Sequence, residues 1–468
     1  MITQHRLVSV CGALAAFAVS LSLPAESAAT SLTPLATFAD SGDGTGGGWL
    51  APGELGYAYL GTNNLERGLA YGNGHLYLVS RNNPTGTNGN NIRILDALTG
   101  VNPSGMDLGG LDVTGISGGT LGVNMVGVGG DGAIYVANLQ GDTNAGLYKV
   151  YKWGNEAAVP TVAYSGNAGL IGARIGDDLA IIGSGSSTRL AAGFSNSPSV
   201  SGNNGYAVID PTAGTATAVG FAATPPNPGD FRLGITFTDQ SHVIGTQGGG
   251  TYQYSSYAGP TGTLLGTGTL TYAGGATAER SMAYAVVGGK PLLAIQSSGD
   301  AHVSVYDITN PLNPLFLASG NATVGALASN ANGTGSVAWG PINNTGVGTG
   351  TATLYAMRTN SGIQAFTFTL TPPAVAGDYN GNGAVDAADY VLWRDTEGQT
   401  VAAGSGADGD GDGTVGPGDY DFWRARFGNT SGSGSAIGAA VVPEPAGFVL
   451  ISVGAICAAG RRRRSLSS

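Results

Sequence analysis

Between residues 30 and 372 one short pattern recurs, a turn rich in glycine or polar residues followed by a strand of alternating apolar residues. It reads GNGHLYLVSRN (72–82), GGDGAIYVANL (129–139), IGDDLAIIGSG (175–185), TDQSHVIGTQG (238–248), VGGKPLLAIQS (287–297) and TGTATLYAMRT (349–359). The spacing is roughly 45–65 residues, a repeat length that marks stacked or radially arranged units. Most copies are followed by a second alternating run: NIRILDALTG, LYKVYKW, GYAVIDPTAG, HVSVYDIT and IQAFTFTL. Period-two alternation between turn residues indicates antiparallel hairpins. Repeated four-stranded units of this size point to an all-β body, a six-bladed β-propeller. A seventh blade is accommodated if a divergent unit hides in the glycine-rich stretches, and a β-sandwich pair or a β-helix is the alternative. Residues 31–40, SLTPLATFAD, are placed to supply the outer strand that closes the ring.

Composition agrees with many short strands: of 468 residues 82 are glycine, 42% are hydrophobic and only 10% are charged. The charge is unevenly spread. Residues 30–372 carry 18 acidic against 11 basic side chains, whereas residues 378–426 carry 10 against 3. An acidic chain without basic stripes excludes nucleic acid as a partner, because phosphate binding rests on clustered Lys and Arg.

Both ends read as address labels. Arg6 precedes an apolar run from Leu7 to Leu23 and the small residues of PAESAAT, the pattern of a secretory signal peptide over 1–29, with a permanent anchor as the alternative. At the other end Pro443-Glu444-Pro445 leads into the uncharged run Ala446–Gly460, shorter than the ~20 residues of a comfortable span, and then into Arg461, Arg462, Arg463 and Arg464. This order resembles a PEP-CTERM sorting signal (442–464). The resemblance implies a transient inner-membrane anchor that an exosortase-type enzyme removes, leaving the protein at the cell surface or outside the cell; an unprocessed tail anchor is the alternative. Cys11 and Cys457, the two cysteines, lie inside these labels, so disulfides and thiol chemistry have no part in the mature chain.

The acidic stretch holds two matched loops. An EF-hand-type loop places oxygen ligands at positions 1, 3, 5, 7, 9 and 12, with Gly at 6. Counting from Asp378 gives Asp378, Asn380, Asn382, Gly383, the carbonyl of Ala384, Asp386 and Asp389. Counting from Asp408 gives Asp408, Asp410, Asp412, Gly413, the carbonyl of Thr414, then Gly416, where a water would serve, and Asp419. Both loops end in Asp where the common EF-hand has a bidentate Glu, and each is followed by Tyr-x-x-Trp-Arg (Tyr390 to Arg394, Tyr420 to Arg424). Over residues 377–428 these features resemble a type I dockerin domain. The resemblance implies a small α-helical, calcium-binding fold with two Ca²⁺ ions that plugs into a cohesin-like partner. The hydroxyl pair that often carries such docking is replaced here by Ala387-Ala388 and Pro417-Gly418, which leaves the partner's identity open. Residues 373–376 and the Gly/Ser/Ala-rich 429–441 read as linkers. Tyr390, Trp393, Tyr420 and Trp423 fall on one face of each exit helix, either as a small core or as a partner surface. A segment of about fifty residues needs such metals to be stable on its own.

Within the β body, ERGLAY (66–71) returns as ERSMAY (279–284), and ARIGDD and FRLGIT also set an arginine where a unit begins. In a propeller this gathers Arg67, Arg174, Arg232 and Arg280 near one mouth of the channel, suited to an anionic ligand through bidentate hydrogen bonds. The alternative pairs each with a local carboxylate such as Glu66 or Glu279. His75, His242 and His302 have no metal-ligand spacing, and Asp177-Asp178 read as turn-capping rather than as a glycosidase pair. The expected function is that of a secreted or cell-surface calcium-binding protein whose dockerin-like module docks to a protein and whose propeller holds a glycan or protein without catalysis. The alternatives are a dockerin-bearing polysaccharide-active enzyme and a structural envelope or biofilm component. The body also resembles uncharacterised propeller-like domains of secreted bacterial proteins, which bring no known activity.

Overall fold

The computed structural model describes residues 30–430 apart from 40–46, 55–58, 82–90, 102–109, 224, 228, 273–277 and 372–374. The signal-peptide and PEP-CTERM segments therefore lie outside the described residues. The chain divides between Pro372 and Pro373 into a large β unit and a small unit containing the acidic loops. Among the described residues no helix is long and apolar enough to cross a membrane.

In the β unit, β1 (Ser31–Pro34) and β2 (Trp49–Leu50) precede β3 (Glu66–Gly72), β4 (His75–Ser80) and β5 (Ile92–Asp96), which form one antiparallel sheet. The next sheet is β6 (Leu121–Val128), β7 (Ile134–Leu139), β8 (Tyr148–Trp153) and β9 (Thr161–Gly166). Then β10 (Ala180–Ile182), β11 (Arg189–Phe194), β12 (Gly205–Asp210) and β13 (Thr215–Gly220) are followed by β14 (Gly234–Asp239), β15 (His242–Thr246), β16 (Thr251–Ala258) and β17 (Thr261–Thr269). These two runs are joined at their outer strands by the parallel pair Gly220 and Thr261. A further sheet holds β18 (Glu279–Val287), β19 (Lys290–Ser297), β20 (Val303–Asp307) and β21 (Leu315–Gly320). The last holds β22 (Gly335–Gly346), β23 (Thr349–Arg358) and β24 (Ile363–Leu370), to which β1 and β2 both pair.

The first strands follow one another round a ring: β3 lies beside β6, β6 beside β10, β10 beside β14, β14 beside β18, β18 beside β22, and β22 beside β3. This is a propeller-like arrangement. Cores of alternating apolar side chains fill the spaces between neighbouring sheets, as where Tyr206, Phe221 and Phe231 meet with ring centroids 4.9 to 6.0 Å apart. Five of the recurring segments form the second strand of their sheets. The segment 175–185 instead supplies the short first strand β10, and the second strand there is β11. The turns after the third strands are held by aspartates whose Oδ1 accepts from the chain just ahead: Asp96 from Thr99 N (2.8 Å), Asp210 from Thr212 N (2.9 Å) and Asp307 from Thr309 N (2.8 Å). Short acids at such positions favour turns for this reason.

Closure comes from the N-terminal strand. Residues Ser31, Leu32, Thr33 and Pro34 pair antiparallel with Thr369, Phe368, Thr367 and Phe366, and Leu32 is buried against the apolar cluster of that sheet. Replacing Leu32 with Ala is expected to cost about 2–5 kcal/mol of unfolding free energy. A chain lacking residues 30–34 is expected to melt at lower temperature and over a broader range, both read by circular dichroism.

Candidate functional sites

In the small unit the first carboxylate of each acidic loop gathers three amides of its own loop, at matching positions in the two loops. Asp378 Oδ1 accepts from Gly381 N (2.8 Å) and Asn382 N (3.1 Å), and Oδ2 from Gly383 N (2.7 Å). Asp408 Oδ1 accepts from Gly411 N (2.9 Å) and Asp412 N (3.1 Å), and Oδ2 from Gly413 N (2.8 Å). Gly383 and Gly413 have φ of +89° and +85°, a conformation that side chains disfavour and that turns the loop sharply. The closing carboxylates bridge the two ends of each loop. Asp389 accepts from Asn380 N (2.9 Å) and Asp386 N (2.8 Å), and Asp419 from Asp410 N (3.0 Å) and Gly416 N (2.7 Å). Asp408, Asp410 and Asp412 each present a carboxylate oxygen, all within 4.8 Å of one another.

Two helices leave these loops, α1 (Ala387–Thr396) and α2 (Pro417–Arg424). Asp386 caps α1, its Oδ1 accepting from Ala388 N at 2.8 Å. Proline at the first position of α2 suits a site where no amide donor is needed. The halves interlock reciprocally. Trp393 Nε1 donates to the Gly416 carbonyl of the second loop (2.8 Å), and Trp423 Nε1 to the Asp386 carbonyl of the first (3.0 Å). The segment after α1 pairs with the second loop through Val415 N to Gln399 O (2.9 Å), and the segment after α2 with the first through Val385 N to Asn429 O (2.8 Å). Tyr390, Trp393, Tyr420 and Trp423 stack at 5.2 to 6.0 Å and, with Arg394, line an open cleft. The four rings pack between the two helices, with Trp393 buried and Tyr390 exposed at one edge.

In the β unit a cavity of about 230 Å³ lies at the centre of the ring, lined by residues of all the first strands, among them Tyr71, Asp178, Tyr284 and Trp339. Near the starts of these strands the arginines come together. Asp177, with its side chain only 2% exposed, accepts from Arg174 through Nε (2.7 Å) and Nη2 (2.5 Å) and from Arg232 through Nη1 (2.7 Å). Burial alone would raise the Asp177 carboxyl, but the two guanidinium groups hold it below the usual range. Arg67 is buried, and its Nη1 donates to Thr334 Oγ1 at 2.5 Å. Burial and the nearby cations Arg81 and Arg174 bring its own pKa down to about 10. Arg280 is also lowered, by burial and then by Arg232. Its guanidinium lies against Gly333, where a Cβ would fall 1.3 Å from Nη1.

The local carboxylates are engaged elsewhere. Glu66 Oε1 accepts from Gly61 N at 2.5 Å, and Glu279 Oε1 faces His302 Nε2 at 3.0 Å. Arg67 and Arg280 form no ion pair with these neighbours, whereas Arg174 pairs with its local carboxylate Asp177, which Arg232 shares. Asp178 likewise caps no turn. Its carboxylate accepts from Leu179 N (2.8 Å) and Ile235 N (3.0 Å), tying β10 to β14, and burial raises its pKa to about 7. Thr334 and Gly333 belong to the mouth but carry no sequence repeat that points to them. On β6, Asn124 is buried and its Nδ2 donates to Gly176 O at 2.6 Å.

The three histidines among the described residues face carboxylates: His75 faces Glu156, His242 faces Asp239, and buried His302 lies between Glu279 and Asp300 (2.5 Å) and stacks on Tyr272. Burial alone would lower His302, yet the two carboxylates raise it above its ordinary value of 6.5. A raised folded value stabilises the fold fully below the unfolded pKa and loses that contribution as pH rises through the folded one. His302→Gln is therefore expected to lower the melting temperature at pH 6, by about 1–3 kcal/mol in free energy, and by less at pH 9. Trp393→Phe keeps the ring and removes the donor to Gly416, so thermal melts of the small unit should register a loss of about 1 kcal/mol.

No family model and no curated protein matches this sequence. Among solved structures, a DUF4623 family protein from Bacteroides eggerthii is similar at 17% identity and a TM-score of 0.47, over 66% of this chain and 72% of that one. The Malassezia sympodialis allergen Mala s 1 is similar at 12% identity and a TM-score of 0.40, over 65% and 93% of the two chains. The WD40 β-propeller domain of Doa1 is similar at 11% identity and a TM-score of 0.36, over 64% and 78%.

Proposed function

We propose that this chain is an exported, non-catalytic binding protein in which a six-bladed propeller holds a glycan or protein ligand and a dockerin-like module docks to a second protein in a calcium-dependent way. The observation that carries the reading is that Asp378 and Asp408, 30 residues apart, each accept from three matching amides of their own loop. Such loops supply hard oxygen ligands around a tight glycine turn, the chemistry that suits Ca²⁺. Asp378, Asn380, Asn382, the Ala384 carbonyl and Asp389 would hold one ion. Asp408, Asp410, Asp412, the Thr414 carbonyl and Asp419 would hold the other. Asp386, engaged as the helix cap, contributes through its second oxygen or a water.

Two ions take the formal charge of residues 378–426 from −7 to −3. They relieve the crowding of Asp408, Asp410 and Asp412, and the module then folds as one piece because each Trp is held by the other loop. In the β unit Asp177 and Asp178 are occupied by arginines and strand amides, which favours binding over glycoside cleavage. Export by residues 1–29 and surface sorting by 442–464, through an exosortase-type enzyme, complete the reading. The partner of the module is a cohesin-like protein.

Calorimetric titration of the full chain should return two calcium sites. Asp378→Ala and Asp408→Ala should each abolish one and weaken the other, and a chain that takes up no calcium overturns the reading. In a pull-down from envelope and secreted material of the source cells, capture through residues 374–430 should be lost in chelator.

A further inference from the structure

We propose that the ring mouth framed by Arg67, Arg174, Arg232 and Arg280 is an oxyanion site, and that it takes the carboxylate or sulfate group of an acidic oligosaccharide. The inference rests on reading the β unit as a binding module and gives that module a ligand chemistry. Four guanidinium groups approach one opening, Arg67 from β3, Arg280 from β18, and Arg174 and Arg232 from the segments that lead into β10 and β14, and Asp177 is the one carboxylate that pairs with any of them among the described residues. It engages only Arg174 and Arg232. Neither Arg67 nor Arg280 forms an ion pair among the described residues, and the Nε of each is buried without a hydrogen-bond partner.

The carboxylates that follow the simplest sequence logic, Glu66 and Glu279, each precede one of these arginines by one residue, yet they bond to Gly61 and His302. Neither arginine pairs with the acid that precedes it. Instead the local backbone is bulged at both places. The pairing of β3 with β4 shifts register between Glu66 and Leu69, and that of β18 with β19 between Glu279 and Met282. Bulges re-aim side chains, and here they lie at the two unpaired arginines. The run into β22 receives both: Thr334 offers Arg67 only a neutral hydroxyl, and Gly333, with φ of +59°, leaves room for the Arg280 guanidinium. Arg174 remains 41% exposed at its side chain and Arg232 20%, so the opening is reachable from solvent.

Positive groups held close together, partly dehydrated and short of counter-charge, repel one another until an anion arrives. Burial first, and neighbouring guanidinium groups second, lower the pKa values of Arg67 and Arg280. Asp177 acts as organiser. By taking one edge of Arg174 and one nitrogen of Arg232 it fixes their planes, and Arg232 Nη2 is steadied at 3.0 Å by the Gln247 amide oxygen when that amide is turned to satisfy both its neighbours. Planar guanidinium forks match a carboxylate or sulfate through paired N–H···O bonds. The acidity of the whole chain argues against a nucleic acid at the same place.

The test uses the full chain, calorimetry and four probes: a galacturonate tetramer, a sulfated disaccharide, a neutral galactose tetramer and inorganic sulfate. Each probe is recovered afterwards and checked by chromatography for cleavage. The expected result is binding of the galacturonate or the sulfated sugar but not of the neutral one, weakening as salt is raised, and at least tenfold weaker in Arg67→Gln and in Arg280→Gln. The first two probes distinguish carboxylate from sulfate, and binding of inorganic sulfate alone reduces the site to a simple anion trap and overturns the saccharide assignment. If neither acidic sugar binds, or if both variants bind as the parent does while melting earlier, the arginines are structural and the inference fails. Equal binding of the neutral tetramer by parent and variants overturns the oxyanion site while leaving a binding module in place, whereas a cleaved probe overturns the non-catalytic reading itself. Should the variants not fold, the melting temperature of the parent decides: it is expected to rise with the acidic sugars, and no rise overturns the site.

Discussion

The pairing of Ser31–Pro34 with the last strand of the β unit, across more than three hundred residues of chain, is the contact on which the rest of this unit depends. Each sheet buries one face against the next and has no independent core. Without closure, the first and last sheets expose apolar faces and unpaired strand edges. Closure also fixes where the first strands begin. Because those starts converge on one opening, residues as distant in sequence as Arg67 and Thr334 come within hydrogen-bonding distance. The mouth is therefore a product of ring geometry rather than of any local motif.

Charge placement in the two units follows opposite logic. In the β unit a single buried acid, Asp177, serves two arginines, leaving positive charge in excess. In the small unit acids crowd without basic partners, and backbone amides satisfy only part of each carboxylate. Buried or clustered charge of one sign is costly unless something compensates it. The two proposals, an anion in one unit and a hard cation in the other, rest on this contrast.

How far the sequence carried this reading depended on the range of the interactions. The two matched loops are legible in the sequence because the bonds that shape each are contained in about twelve residues. Hairpins were legible from alternation, and the closing strand from its place before the first unit. The third unit was read out of phase, since IGDDLAIIGSG has the alternation of a second strand while Ala180–Ile182 is the first strand of its sheet. The recurrence of an arginine at unit starts identified the members of the mouth, but the sharing of Asp177 by Arg174 and Arg232 spans 55 residues and leaves no local trace. Nor could Gly333 be told from any of the other glycines. Its role is to be absent where Arg280 needs space, which only the packed structure reveals.

The reciprocal bonds of the small unit have a consequence for how it assembles. Trp393 belongs to the helix that leaves the first loop but holds the second, and Trp423 does the converse. The strand-like pairings of Val385 and Val415 cross over in the same sense. Neither half therefore contains its own full set of contacts, and a half-formed unit would leave an indole donor, a loop carbonyl and an apolar face unmet. At roughly fifty residues there is little other core to offset that loss. Ordering one loop positions the tryptophan that steadies the other, so the two acidic loops are built to become ordered together, and whatever neutralises one of them lowers the free energy needed to organise its twin.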